Sequence, residues 1–75
     1  MIFQKLKEII CDEFELEAID VELDSDLSMD LDLDEIDLVD LSMSIEDEFE
    51  IEVTSEATES FKTVSDIVKY IENNK

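Results

Sequence analysis

From Glu8 to Phe61 the chain carries no lysine, arginine or histidine, and of its 24 acidic residues only Asp66 and Glu72 lie outside that stretch. The lysines are Lys5, Lys7, Lys62, Lys69 and Lys75, which leaves a formal net charge of −19. Charge of one sign is costly to bring together, so this run restricts the fold more than any other feature. The acids have no nearby cation to be buried with, and an unpaired carboxylate cannot be buried cheaply. A core must therefore be gathered from apolar residues spaced so that the acids stay in water. Seventy-five residues suffice for a single domain, 1–75, with one modest core. The hydrophobic fraction of 44% is ordinary, so a folded chain is expected rather than a disordered one.

The apolar spacing is helical. Phe3, Leu6, Ile9, Ile10 and Phe14 recur along one face of 2–14, mostly opposite Gln4, Lys5, Lys7, Glu8, Asp12 and Glu13, which predicts a first amphipathic helix. Residues 15–33 lose that period and read as a long loop that tucks selected apolar side chains beneath itself; loops of this length are often functional. Leu27–Leu33 alternates apolar and polar, but a strand is rejected: aspartate is a poor strand former, no second run offers a partner, and the chain has no Gly or Pro. A second helix begins at Asp34, a strong N-cap followed by Glu35 and Asp37, and runs to about Phe49. It carries two stripes. Leu38, Leu41, Ile45 and Phe49 form a core face, whereas Ile36, Val39 and Met43 are either a widening of that face or an exposed contact strip bordered by Asp40, Glu46 and Asp47. Residues 54–60 allow a short helical turn. A last helix is capped at Thr63 with Asp66 three residues on, buries Val64, Ile67, Val68 and Ile71, and frays over Glu72-Asn73-Asn74-Lys75. The whole is an all-α bundle of three main helices and one short helix, with a long first loop.

The charge excludes whole classes of partner. Phosphate backbones and anionic lipids are repelled, so neither nucleic acid nor membrane is expected; a protein with a basic patch is favoured, steered in at a distance and loosened by salt. No histidine is available as base or metal ligand, and the acidic middle has no cation for an anion hole, so the chain is not expected to be an enzyme. Met1–Phe14 is broken by Lys5, Lys7 and Glu8 and does not read as a signal peptide, and no apolar run approaches a membrane span. With a lone Cys11, no internal disulfide forms; a soluble, cytoplasmic monomer is expected. Cys11 itself, near the buried edge of the first helix, reads as a small hydrophobe rather than a reactive thiol. Asp30, Asp32 and Asp34 have the one-three-five spacing that opens an EF-hand loop, but Glu35 stands where that loop needs glycine and Leu41 where it needs a bidentate glutamate. No dedicated metal site is expected, only loose binding of divalent ions by clustered carboxylates.

Leu6, Ile9-Ile10, Val21, Leu27, Asp30-Leu31, Asp34, Glu46-Asp47-Glu48-Phe49, Glu52-Val53, Thr63-Val64 and Tyr70-Ile71 occur in an order and spacing that, over essentially the whole chain, resemble the acyl carrier proteins of fatty-acid and polyketide synthesis. The resemblance implies a small helical bundle that docks on synthase and transferase enzymes. The family's motif, Leu-Gly-x-Asp-Ser-Leu, corresponds to Leu31-Asp32-Leu33-Asp34-Glu35-Ile36. In the family the serine hydroxyl attacks the pyrophosphate of coenzyme A, with a magnesium-dependent transferase, and becomes a phosphodiester to 4'-phosphopantetheine, whose thiol holds the acyl group. Here Leu31, Asp34 and Ile36 fit, Asp32 replaces the glycine and Glu35 replaces the serine. A carboxylate cannot make that stable ester, so no phosphopantetheine is expected on this sequence. Ser25, Ser28, Ser42 and Ser44 are poor substitutes; the Asp24-Ser25-Asp26-Leu27 setting imitates the motif but stands ten residues too early. Glu35 then marks a changed carrier scaffold with intact partner surfaces, a pseudo-carrier that docks unloaded, or an acidic interaction and regulatory module with an unrelated partner. It also retains roughly the single negative charge that a phosphodiester has.

Overall fold

The computed structural model describes residues 2–74 and contains four α-helices: α1 (Ile2–Phe14), α2 (Glu35–Phe49), α3 (Ser55–Ser60) and α4 (Val64–Asn74), with a 3-10 turn at Ala18–Asp20. Among the described residues there is no strand, only an isolated antiparallel bridge between Asp26 and Thr63. α1 packs against α2 and α4, and α3 against α2. The core is drawn from every part of the chain: Leu6 and Ile10 of α1, Val21, Leu27, Leu31 and Leu33 of the loop, Leu41 and Ile45 of α2, Phe61, and Val64, Ile67 and Ile71 of α4. The members in α1, α2 and α4 are positions that the apolar spacing places inward, whereas Phe61 and the particular loop residues were not singled out by spacing. Phe3, Ile9, Phe14, Leu38, Phe49 and Val68 close over the edges half-buried.

The helix boundaries follow from local chemistry. α1 ends where Glu15 turns left-handed (φ 55°), letting Leu16 donate to the Cys11 carbonyl (3.2 Å) and lay its side chain on the core. α2 ends in the same way at Glu50 (φ 54°). α3, too short to persist alone, is capped by Thr54, whose hydroxyl accepts from Ala57 N (3.1 Å). Before α4, the Thr63 hydroxyl accepts from Asp66 N (3.3 Å) while the Asp66 carboxylate accepts from Thr63 N (3.1 Å) and Lys62 N (3.0 Å), the reciprocal box expected from the sequence. The expected fray does not occur over Glu72–Asn74: they continue α4, and the Asn74 side-chain amide donates to the Tyr70 carbonyl (2.8 Å). Lys75 lies outside the described residues.

The loop 15–33 is ordered by the head of α4. Leu27 N donates to Lys62 O (2.8 Å), Val64 N to Ser25 O (3.2 Å) and Ser65 N to Leu23 O (2.8 Å). Within it, the Asp26 carboxylate accepts from Ser28 N (2.9 Å) and Met29 N (2.8 Å), while Asp26 N donates to the Asp30 carboxylate (2.7 Å). These bonds coil Leu27–Leu33 into successive turns. Leu27, Leu31 and Leu33 point inward while Met29, at 85% exposure, is left outside. Coiling explains why the alternation does not make a strand.

Candidate functional site: the head and outer face of α2

Leu31 and Leu33 are buried, and Asp32 between them adopts a left-handed backbone (φ 57°). That conformation carries no penalty for glycine, and aspartate is among the few other residues that enter it readily. At the position of the family motif's glycine, Asp32 thus holds a conformation that a glycine would enter without penalty. Leu33 N then donates to Leu27 O (2.9 Å), and the chain enters α2 at Asp34. Asp34 is the N-cap, as its position predicts: its carboxylate accepts from Asp37 N (2.9 Å), and the Asp37 carboxylate accepts from Asp34 N (3.1 Å). The role of Asp37 was legible only as first-turn charge, although the spacing Asp34-x-x-Asp37 is that of a capping box. Glu35 follows, exposed in the first turn, where unpaired helix amides favour a carboxylate.

Beyond Glu35 the second stripe of α2 faces solvent. Ile36 is 71% exposed, Val39 50% and Met43 52%, so the stripe does not belong to the core. Asp40 and Asp47 are exposed beside it. Asp47 borders a depression shared with Ile9, Asp12 and Glu13 of α1. Glu46 is half-buried, and its carboxylate accepts from Val53 N (2.9 Å), fastening the α2–α3 connection. Glu35, Val39, Met43 and Glu46 line one edge of an open groove between α2 and α3, with Val53 and Glu59 across from them. At its floor the hydroxyls of Ser42 and Thr58 are 2.8 Å apart.

The other candidate groups are held in structural roles. Ser25 is buried, its hydroxyl accepting from Glu22 N (2.9 Å) and donating to Asp20 O (3.2 Å). Ser44 donates to the Glu13 carboxylate. Ser42 is buried against Thr58, while Ser28 is exposed and borders the groove. Burial pushes the Cys11 thiol up, away from the thiolate that a reactive cysteine needs. Asp30 and Asp34, two of the three acids with EF-hand spacing, direct carboxylate oxygens at backbone N–H groups, and among the described residues no three acidic or thiol groups converge on one point. Among the described residues no helix is long and apolar enough to cross a membrane.

A capped helix entered through a left-handed residue, with an exposed apolar stripe behind its head, is the arrangement of a known class of small helical proteins. Residues 4–71 match the model of the family described as "Phosphopantetheine attachment site", and the chain belongs to that family. Its relatives include the "Acyl carrier protein" of Lactococcus lactis subsp. cremoris, 46% identical over 74 residues that span 99% of this chain and 97% of the other, and that of Phytoplasma mali, 42% identical over 74 residues, 99% and 88% of the two chains. A solved acyl carrier protein from Enterococcus faecalis superposes with a TM-score of 0.81 at 34% identity, covering 99% of this chain and 94% of that one. By family and fold this is an acyl-carrier-type protein rather than an enzyme. The family's cofactor does not fit the residue at the head of α2. Glu35 presents a carboxylate where ester formation needs a hydroxyl, although the cap, the left-handed entry and the helix that surround such a hydroxyl are all in place.

Proposed function

We propose that this chain is an acyl-carrier-type protein of fatty-acid or polyketide-type synthesis that docks on basic-patched synthase or transferase enzymes without bearing phosphopantetheine at position 35. The observation that carries the reading is the exposed Glu35 at the N-terminus of an α2 whose stripe Ile36, Val39 and Met43 stays open to solvent. Asp40, Glu46 and Asp47 supply the negative border that a basic partner reads. The sequence run free of cations steers such a partner from a distance, as a cytoplasmic monomer in dilute solution requires. The alternative, a purely regulatory interaction module with no place in acyl transfer, shares this face and differs only in which protein it meets.

Loading tests the reading directly. Incubation with a broad-specificity phosphopantetheinyl transferase, magnesium and coenzyme A, followed by intact mass measurement, is expected to show no added mass. Glu35→Ser is expected to gain one phosphopantetheine under the same conditions, since Asp32, Asp34 and Ile36 already hold the local geometry. A stoichiometric adduct on the native chain, on Ser28 or elsewhere, overturns the proposal.

A further inference from the structure

We infer that the docking face does not end on α2 but continues onto the turn 27–33, where Met29 is an anchor that seats in an apolar recess of a basic-patched enzyme. The inference rests on the docking reading above and carries it from the helix to the loop. Met29 is the most exposed of the large apolar side chains among the described residues, at 85%. Its backbone is nevertheless fixed. Its N–H donates to the Asp26 carboxylate (2.8 Å), and the Asp26 carbonyl accepts from Asp30 N (2.9 Å) and Leu31 N (3.1 Å). Leu27 and Leu31 are buried on either side, and the bond from Leu33 N to Leu27 O (2.9 Å) closes the turn immediately before Asp34. The turn therefore stands beside the head of α2: Ser28, next to Met29, borders the same groove as Asp34 and Glu35.

Nothing inside the molecule calls for a methionine here. The turn is made by backbone groups and the Asp26 carboxylate, and the Met29 side chain adds little to the core, so a polar residue would serve the fold as well. An exposed apolar residue standing alone needs no explanation. Met29 does not stand alone: it crowns a fixed turn at the head of a helix whose own apolar strip begins at Ile36. Asp30 and Asp32, both exposed, flank it in the turn as Asp40 and Asp47 flank Met43 on the helix. The two patches have one chemistry, an unbranched apolar side chain among carboxylates. A partner must bring cations for the carboxylates and a recess for the thioether, and a basic-patched enzyme that reads Met43 already meets both needs. Methionine adapts its shape to such a recess, and an anchor presented on a fixed backbone loses less freedom on binding.

Titration calorimetry at low salt against a broad-specificity bacterial phosphopantetheinyl transferase reads the contact on the full chain. Met29→Ala is expected to raise Kd by about 5- to 30-fold, the range between an ordinary contact and a hot spot, and Met29→Leu to leave it within about twofold. Both variants are expected to melt within about 2 °C of the native chain, because the side chain lies outside the core. Leu23→Ala is the control. Leu23 is an exposed apolar residue of the same loop, but it borders a depression with Phe3, Phe49 and Val68 at the other end of α2, and its loss is expected to leave Kd unchanged. A Met29→Ala chain that binds like the native one, while Met43→Ala binds more weakly, overturns the inference and leaves docking on α2 standing. Equal losses from Met29→Ala and Leu23→Ala make the effect one of general apolarity and also overturn it. No binding by the native chain, or binding indifferent to both Met43→Ala and Met29→Ala, overturns the docking reading itself and the inference with it.

Discussion

Glu15, Asp32 and Glu50 hold left-handed backbones in a chain that has no glycine to place there. Each non-glycine residue in that region costs about 1–2 kcal/mol, less for aspartate, while glycine gives part of this back through the entropy of the unfolded chain. Glu50→Gly is therefore expected to stabilise the protein by about 0.5–1 kcal/mol in denaturant unfolding, and Asp32→Gly by less. Nothing in the pattern of residues marks Glu15 or Glu50 as left-handed, because the usual signal is glycine itself. Only the comparison of Asp32 with the family's glycine pointed to one of the three. Asp66 was legible, because Thr63-x-x-Asp66 announces a cap. The Lys62 amide, then the Thr63 amide, hold its carboxyl below the usual 3.8. A depressed folded value stabilises fully above the ordinary one and is lost as pH falls through the folded one. Asp66→Ala is accordingly expected to cost about 1 kcal/mol at neutral pH, with the gap to the native chain narrowing below about pH 4 in parallel urea titrations.

α2 shows how far periodicity reaches at the scale of an element. Its start at Asp34, its end near Phe49 and its inward stripe all follow from spacing and capping. Its second stripe has equally good helical spacing, so the sequence leaves open whether Val39 and Met43 are inside or outside. The packing of α1 and α3 around α2 decides it, and that is a property of the assembled bundle. The same limit applies to the loop: its apolar residues were visible, but the bonds to Lys62, Val64 and Ser65 choose which of them turn inward. The two stripes give a direct comparison. Leu41 is 1% exposed, so Leu41→Ala is expected to cost about 2–5 kcal/mol. Met43→Ala removes a half-exposed side chain and is expected to cost less than about 1 kcal/mol, while weakening the binding of a basic partner in titration calorimetry. Equal destabilisation by both would place Met43 in the core and remove the docking face.

The body measures 26 × 25 × 19 Å, and the charge of −19 is spread over it with one ion pair, Lys5 with Glu48 at 3.4 Å, among the described residues. At about 0.01 M salt the screening length of about 30 Å exceeds every dimension, so all the acids repel one another; at about 0.1 M it shrinks to about 10 Å. The melting temperature is therefore expected to rise with sodium chloride, most steeply below about 0.1 M, while docking on a basic partner weakens over the same range. A melting temperature indifferent to salt would mean that the acids are already too far apart to matter. The fold class was readable at this scale because helical spacing and a gap in the cations are global patterns, whereas the groove floor was not, since Ser42 and Thr58 meet only across two helices. The fastening of loop to α4 has one more consequence, which concerns the order of events on the ribosome. The segment ahead of α2 has only its own local bonds until Lys62–Ser65 has left the exit tunnel, so a nascent chain lacks the fastening of that segment to α4 until then.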